Sequence, residues 1–380
     1  MLISRSDNSN IALWWWTIDR FLLTLFSILI IVGIFLVMAS SQHLAQSFNI
    51  FSHYFTLRHI LFVIISLPII FLFSLLNEKQ TKAISIIGLI ITIFLLLIIL
   101  INGSEIKGAK RWIYFSGFSF QPSELCKPFY VIVNAWFLTL WIEGKNFPGW
   151  AWSIVSLILI SSLLLIQPDV GMTIVIILTW CFQLFITGIP LIIIICLTLA
   201  VPLFVILTYH NFDHVKIRID GFLEGTTYQV TKSLQSFEFG GFWGTGPGEG
   251  FYKKFLPDAH SDFVFAVAAE EYGILICLII ILIYSLVVYR AFSLSFINKS
   301  LFFIIAVSGL AFQFGIQTLI HMASNTNLIP TKGMTLPFLS YGGSSMISSA
   351  ITVGILLSLT RKNISHNPIK KQLNLKSANE

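Results

Sequence analysis

Apolar runs of about 20 residues, separated by short polar stretches, fill almost the whole of this chain. A helix rises 1.5 Å per residue, so about 20 residues cross a hydrocarbon layer of ~30 Å, and runs of this length predict transmembrane helices. About ten such spans fall at 18–40, 57–76, 83–102, 124–142, 150–167, 170–187, 190–208, 263–290, 301–322 and 341–360. None alternates with period two, as a membrane β-strand would. The pattern predicts an all-α polytopic membrane protein: a single transmembrane domain over 18–360, a tail at 1–17 and a second tail at 361–380. The tail from Arg361 is polar and basic and reads as disordered. Ala39-Ser40-Ser41 after the first run resembles a signal-peptidase site, but the apolar core is too long for a signal and further spans follow, so the helix is retained. The pattern is interrupted by one long connection, about 209–261, between the seventh and eighth spans.

Composition strengthens this reading. Of 380 residues, 56% are hydrophobic and 11% charged, with 35 Phe and 10 Trp, and the mean hydropathy is +0.87. A soluble domain of that make-up would be left with a large apolar surface. Cys126, Cys181, Cys196 and Cys277 all lie in predicted spans without ligand spacing, and read as small buried apolar side chains.

An even number of spans puts both termini on one side, and the positive-inside rule makes that side cytoplasmic: Arg5, Arg20, Lys79, Lys82, Lys145, Arg290 and the basic tail all fall there. The other cations oppose the rule. Arg58, Lys107, Lys110, Arg111, Lys127, Lys216, Arg218, Lys232, Lys253, Lys254 and Lys332 gather on the outer face. Clustered Lys and Arg hold phosphate or carboxylate, so a bound anionic group is predicted there; for Lys216, Lys253 and Lys254, lipid headgroups are the competing reading. The glycine-rich GGFWGTGPGEG at 240–250 reads either as an anion-binding nest or as a plain flexible turn. It lacks the ending and the strand–helix frame of a nucleotide loop.

Three polar blocks carry candidate chemistry. In KGAKRWIYFSGFSFQPSELCK, 107–127, Lys110, Arg111 and Trp112 suit a membrane interface, while Gln121, Ser123, Glu124 and Lys127 enter the fourth span together. Pro122 fits a first helical turn, with Gln121 or Ser123 as cap. Glu124 and Lys127 share a face and form either a structural pair or part of a site. Asp169, in QPDVG, is either a helix cap or a site residue. LPDAHSDFVFAVAAEE, 256–271, sets Asp258, Asp262, Glu270 and Glu271 beside an apolar run. If a helix starts at Pro257, then Asp258 caps it, Asp262 lies one turn on and Glu270 two turns further. Asp262 has no partner nearby in sequence, and partial desolvation would make it a better base than an exposed carboxylate. Glu270 and Glu271 are expected to pair with buried cations or polar groups of the bundle.

Five blocks, KGAKRWI, QPSELCK, QPDVG, LPDAHSDFVFAVAAEEYG and PTKGMTLPFLSYGGSS, follow one another in the order seen in the SEDS family (shape, elongation, division and sporulation) of polytopic glycosyltransferases, and the chain resembles that family from WWWTIDR at 14–20 to the last span. Pro330-Thr331-Lys332-Gly333 resembles its division branch, and WWWTIDR with GTGPGEG resembles that branch in alphaproteobacteria. The resemblance implies polymerisation of lipid II at the outer face of the inner membrane, at the division septum. Asp262 would take the proton of the acceptor GlcNAc 4-hydroxyl as that oxygen attacks the donor MurNAc C1 with inversion. Arg111, Lys127, Arg58 and Lys332 would meet the departing diphosphate, with Lys110, Gln121, Glu124 and Asp169 completing the substrate site. It also implies a single-span class B transpeptidase of the FtsI type as partner, together with other division proteins. No cofactor is evident; a divalent cation, Mg²⁺ or Mn²⁺, would arrive through the substrate's own oxygens. Ser261 stands where the family has Thr, His321 where it has Asn, and Phe115-Ser116 where Leu-Gly is usual. Two other classes remain as readings: a lipid II flippase, and a non-catalytic division scaffold.

Overall fold

The computed structural model describes residues 9–362 apart from 48, 107, 108, 116, 117, 212, 226, 298 and 299. Helices stand at each of the ten predicted positions: Arg20–Ser47 (α2), Tyr54–Ser74 (α3), Glu78–Asn102 (α4), Pro122–Ile142 (α5), Gly149–Ile166 (α6), Val170–Ile186 (α7), Leu191–Asn211 (α8), Val264–Ser295 (α11), Leu301–Asn325 (α12) and Gly343–Leu359 (α13). Among the described residues, seven of these, α2 to α6, α11 and α12, are long and apolar enough to cross a membrane by length and composition.

Most of these helices pack as a bundle around one shared apolar core. At one end lie both ends of the described chain: the Lys362 amide donates to the Thr17 carbonyl (2.9 Å), the Arg361 Nε to Thr17 Oγ1 (3.0 Å), and Ser358 Oγ to the Leu76 carbonyl (2.6 Å). Arg290 and Asp19 pair there at 2.7 Å. Helices in lipid gain little from the hydrophobic effect against one another, so close packing and polar contacts hold them together. The bundle contains such a knot. Asn134 donates to Gln183 (2.9 Å), Ser153 to Asn134 (2.6 Å) and Trp180 to Ser153 (2.8 Å), all buried.

The structure adds detail to the expected architecture in four places. The predicted tail at 1–17 contains a helix, Asn10–Thr17 (α1), capped by Ser9 and anchored by Trp14 Nε1 on Ser74 Oγ (2.6 Å). The expected tail beyond 362 lies outside the described residues. The fold is not purely helical, because the 103–121 connection forms a three-stranded antiparallel sheet: Ser104–Ile106 (β1), Ala109–Phe115 (β2) and Phe118–Phe120 (β3). Trp, Ile, Tyr and Phe favour a pleated strand over a bare loop. The 209–261 connection is itself largely helical, with Asp213–Leu223 (α9), Tyr228–Gly240 (α10) and a 3-10 turn at Tyr252–Phe255.

The fourth concerns GGFWGTGPGEG, whose backbone bonds to α11. That helix is broken at Gly273, whose φ of 78° and ψ of 175° are not helical. A break inside an apolar helix frees backbone groups that apolar surroundings cannot satisfy. The glycine-rich stretch satisfies them: the Thr245 and Gly246 amides donate to the Glu270 and Glu271 carbonyls (2.9 and 3.0 Å), and the Ile274 amide donates to Gly241 (2.9 Å). A Cβ on Gly273 would lie 2.2 Å from the Phe242 carbonyl oxygen. The glycines are therefore required for two backbones to touch.

Candidate active site

Asp262 does not lie on a helix. The expected helix from Pro257 begins only at Val264, with Phe263 at its N-cap, and Asp258 holds a left-handed φ of 55° that no continuing helix allows. Asp258 is therefore not the cap, and Asp258, Asp262 and Glu270 do not form one stripe. Instead the Ser261 and Asp262 amides both donate to the Asp258 carbonyl (3.0 and 2.9 Å), closing a tight turn. Three distant residues hold that turn. Asn325 Nδ2 donates to the Asp262 carbonyl (2.9 Å), Ser340 Oγ to the Ser261 carbonyl (2.5 Å), and the Tyr341 amide to the His260 carbonyl (2.8 Å).

The turn forms one wall of a partly open cleft. Its lining brings together Asp258, Asp262 and Phe263, Gln229 from α10, Ser324 from α12, and Thr331, Lys332 and Gly333 from the α12–α13 connection. A Cβ at Gly333 would sit 2.9 Å from Asp262 Oδ2, so glycine there lets the carboxylate lie against the backbone.

Lys332 links this cleft to the second group of predicted residues. Its chain passes over Gly171 at the start of α7, so closely that a Cβ there would fall 1.2 Å from Lys332 Cε and 1.8 Å from Nζ. Two residues earlier, Asp169 caps α7 by accepting from the Met172 amide (3.4 Å), accepts from Gln121 Nε2 (3.3 Å), and lies 3.9 Å from Arg111. Arg111 also donates to the Gln167 carbonyl (3.3 Å) and to that of Pro168. Asp169 is thus a cap and a member of a charged cluster together. Pro122 occupies the first turn of α5, but neither Gln121 nor Ser123 caps it by side chain; the Gln121 amide is taken by Ser344 Oγ instead (2.8 Å).

Lys127 lies deeper. Only 1% of its side chain is exposed, and its ammonium donates to Glu124 and to Gln317 Oε1, both at 2.7 Å. Gln317 in turn donates to the Thr335 carbonyl (3.0 Å), so the buried pair is tied to the segment that carries Lys332. Arg58 flanks the turn as well: it donates to Tyr54 Oη (2.9 Å) and touches Tyr341. Lys110 stands on β2, but its side chain, like Lys107, lies outside the described residues.

Glu270 and Glu271 pair inside the protein as expected. Glu271 bonds the buried Lys253, which also donates to the Ala39 carbonyl (3.0 Å). Glu270 accepts from the Tyr252 and Lys253 amides and from Ser236. His321 is buried with Nδ1 2.6 Å from the Met334 carbonyl. His260, between the rings of Phe55 and Tyr341 at 5.0 Å each, is pushed down to about 4, chiefly by burial, against a smaller upward pull from Asp258. Among the described residues no group of three or more His, Cys, Asp and Glu side chains is placed to hold a metal ion.

Sequence reasoning missed Asn325, Gln229 and the holding roles of Ser340 and Tyr341. The block PTKGMTLPFLSYGGSS contains the last two; nothing in the sequence marked Asn325.

Fold and site together define a multi-pass helical membrane protein with an acid-and-cation cleft where its helices meet at one end. The chain belongs to the FtsW/RodA/SpoVE family, described as cell cycle proteins, whose match covers residues 19–365. It is 37% identical over 363 residues to a probable peptidoglycan glycosyltransferase FtsW of Caulobacter vibrioides, covering 94% of this chain and 93% of the relative. It is 32% identical over 359 residues to the protein of the same description from Legionella pneumophila, covering 91% of each. A chain from a peptidoglycan synthase complex coordinating polymerization and crosslinking shares its fold with a TM-score of 0.73 at 24% identity, covering 90% of this chain and 97% of the other. The rod shape determining protein RodA of Thermus thermophilus does so with a TM-score of 0.66 at 23% identity, covering 91% and 97%.

Proposed function

We propose that this protein is a peptidoglycan glycosyltransferase that polymerises lipid II at the division septum, with its ten long helices all crossing the inner membrane, both termini in the cytoplasm and the Asp262 cleft facing outward. The single observation that carries the reading is the Asp262 carboxylate sharing a cleft with Lys332, whose chain lies across the start of α7 beside Asp169 and Arg111. Asp262 takes the proton of the acceptor sugar hydroxyl; that oxygen forms the new bond to the donor anomeric carbon with inversion, and the bond to undecaprenyl diphosphate breaks. A diphosphate is already a good leaving group, so one carboxylate suffices where glycoside hydrolysis uses two. Lys332 and the exposed edge of Arg111 meet the charge that develops on it. Arg58 flanks the base, and Lys127 with Glu124 holds the Lys332 segment through Gln317. Any Mg²⁺ or Mn²⁺ would enter on the substrate's diphosphate. The partner is a class B transpeptidase of the FtsI type, a pairing supported by the relative described as part of a synthase complex.

The test is strand synthesis by purified protein with its transpeptidase, given lipid II in detergent. Wild type makes long glycan strands, and Asp262→Asn, folded by thermal melting, makes none. Strands from the Asn variant would remove Asp262 from the chemistry. No strands from wild type, with lipid II movement in sealed vesicles, would make the protein a flippase.

A further inference from the structure

The inward face of α10 carries Gln229, Ser233 and Ser236, spaced so that all three point the same way on a helix. Ser233 donates to the Asn325 carbonyl (2.7 Å) and Ser236 to Glu270 Oε2 (3.2 Å). Gln229, one turn nearer the helix start, breaks that pattern. It lines the Asp262 cleft, is half-buried, and its carboxamide bonds to none of the described residues. Across the same cleft the half-buried Thr331 hydroxyl is equally uncommitted, whereas Ser324 donates to the His321 carbonyl (2.8 Å).

A carboxamide that faces a cleft without a protein partner keeps both its donor and its acceptor for a ligand. The ligand's chemistry follows from the lining. The lining carries two carboxylates and one ammonium, and of its side chains only that of Phe263 is apolar. A neutral polyhydroxylated group fits. A carboxamide offers an acceptor and a donor side by side, and the group that answers both at once is another amide.

We propose that Gln229, assisted by Thr331, recognises the 2-acetamido group of the acceptor sugar and so sets which hydroxyl faces Asp262. This rests on the glycosyl-transfer reading and adds a specificity to it: the cleft selects N-acetylated sugars by paired hydrogen bonds, the kind of contact whose loss discriminates strongly.

The experiment compares natural lipid II with an analogue whose terminal sugar carries a 2-hydroxyl in place of the 2-acetamido group, a change that adds no charge. Wild type is expected to prefer the natural substrate by at least about tenfold in kcat/KM, and Gln229→Ala to reduce that preference to within about threefold. Thr331→Val is expected to reduce it in part. Because the readout is a ratio within one protein preparation, lost folded protein does not alter it; Gln229→Met, which keeps side-chain length, supplies the ratio if the alanine variant does not purify. The inference is overturned if wild type does not discriminate, or if the Gln229 variants slow both substrates by the same factor. Strand synthesis by wild type on natural lipid II separates this failure from failure of the glycosyl-transfer reading, which would abolish both rates.

Discussion

Asn325 is the most consequential residue outside the predicted set, and its removal can be worked through. The side chain is fully buried. Nδ2 donates to the Asp262 carbonyl and to the His321 carbonyl, both at 2.9 Å, and Oδ1 accepts from the Ala266 amide at 3.3 Å. Ala266 lies in the first turn of α11, where Phe263 at the N-cap has no side-chain acceptor to offer. Asn325 therefore supplies the helix cap from across the bundle while holding the base's own backbone. Asn325→Ala leaves the Ala266 amide and the Asp262 carbonyl without it, at about 1–2 kcal/mol each, or roughly 2–4 kcal/mol together. That strain falls on the turn that aims Asp262, and misplacing a base by about 1 Å costs up to ~100-fold in rate. Strand synthesis from lipid II should show kcat reduced about 10–100-fold with KM little changed, since no substrate contact is removed. A lowered melting temperature with kcat within twofold of wild type would refute the reasoning, because it would show that the turn keeps its aim without Asn325.

Gly171→Ala places a methyl where Lys332 Cε now lies, so the ammonium must swing away; strand synthesis should fall about tenfold or more with the melting temperature nearly unchanged, and undiminished synthesis would show that the position of Lys332 is immaterial. Lys127→Met strands a buried Glu124 and should cost about 3–5 kcal/mol, while Glu124→Gln with Lys127→Met should recover most of it; thermal melting in detergent decides, and additive losses would argue against a coupled pair. His260 is neutral in the fold, held near 4 against an ordinary value of 6.5. The unfolded chain gains its proton first as pH falls, so stability is complete above about 6.5 and declines towards 4, by up to roughly 3 kcal/mol. Melting curves from pH 7.5 to 4.5 should show a smaller decline for His260→Phe, which keeps the ring between Phe55 and Tyr341; an identical decline would assign the acid sensitivity elsewhere.

What the chain alone determined is what a membrane demands locally. Ten apolar runs stand out because each helix must satisfy its own backbone in lipid, and the requirement is met residue by residue along the run. The Glu124–Lys127 pair was legible for the same reason: both partners ride one helix, three positions apart. So was the cap at Asp169, set by its own next turn. The aim of Asp262 was not legible, because the residues that hold its turn stand 63 and 79 positions away, and a helical continuation from Pro257 is locally the better guess. Nor was the crossing of Lys332 over Gly171, or the use of GGFWGTG to repair a break at Gly273, since a glycine's reason for being there is the atom that comes close to it. Local propensity places helices; only the packed bundle decides which carboxylate, ammonium and carboxamide share one cleft, because those contacts join segments that no short-range rule connects.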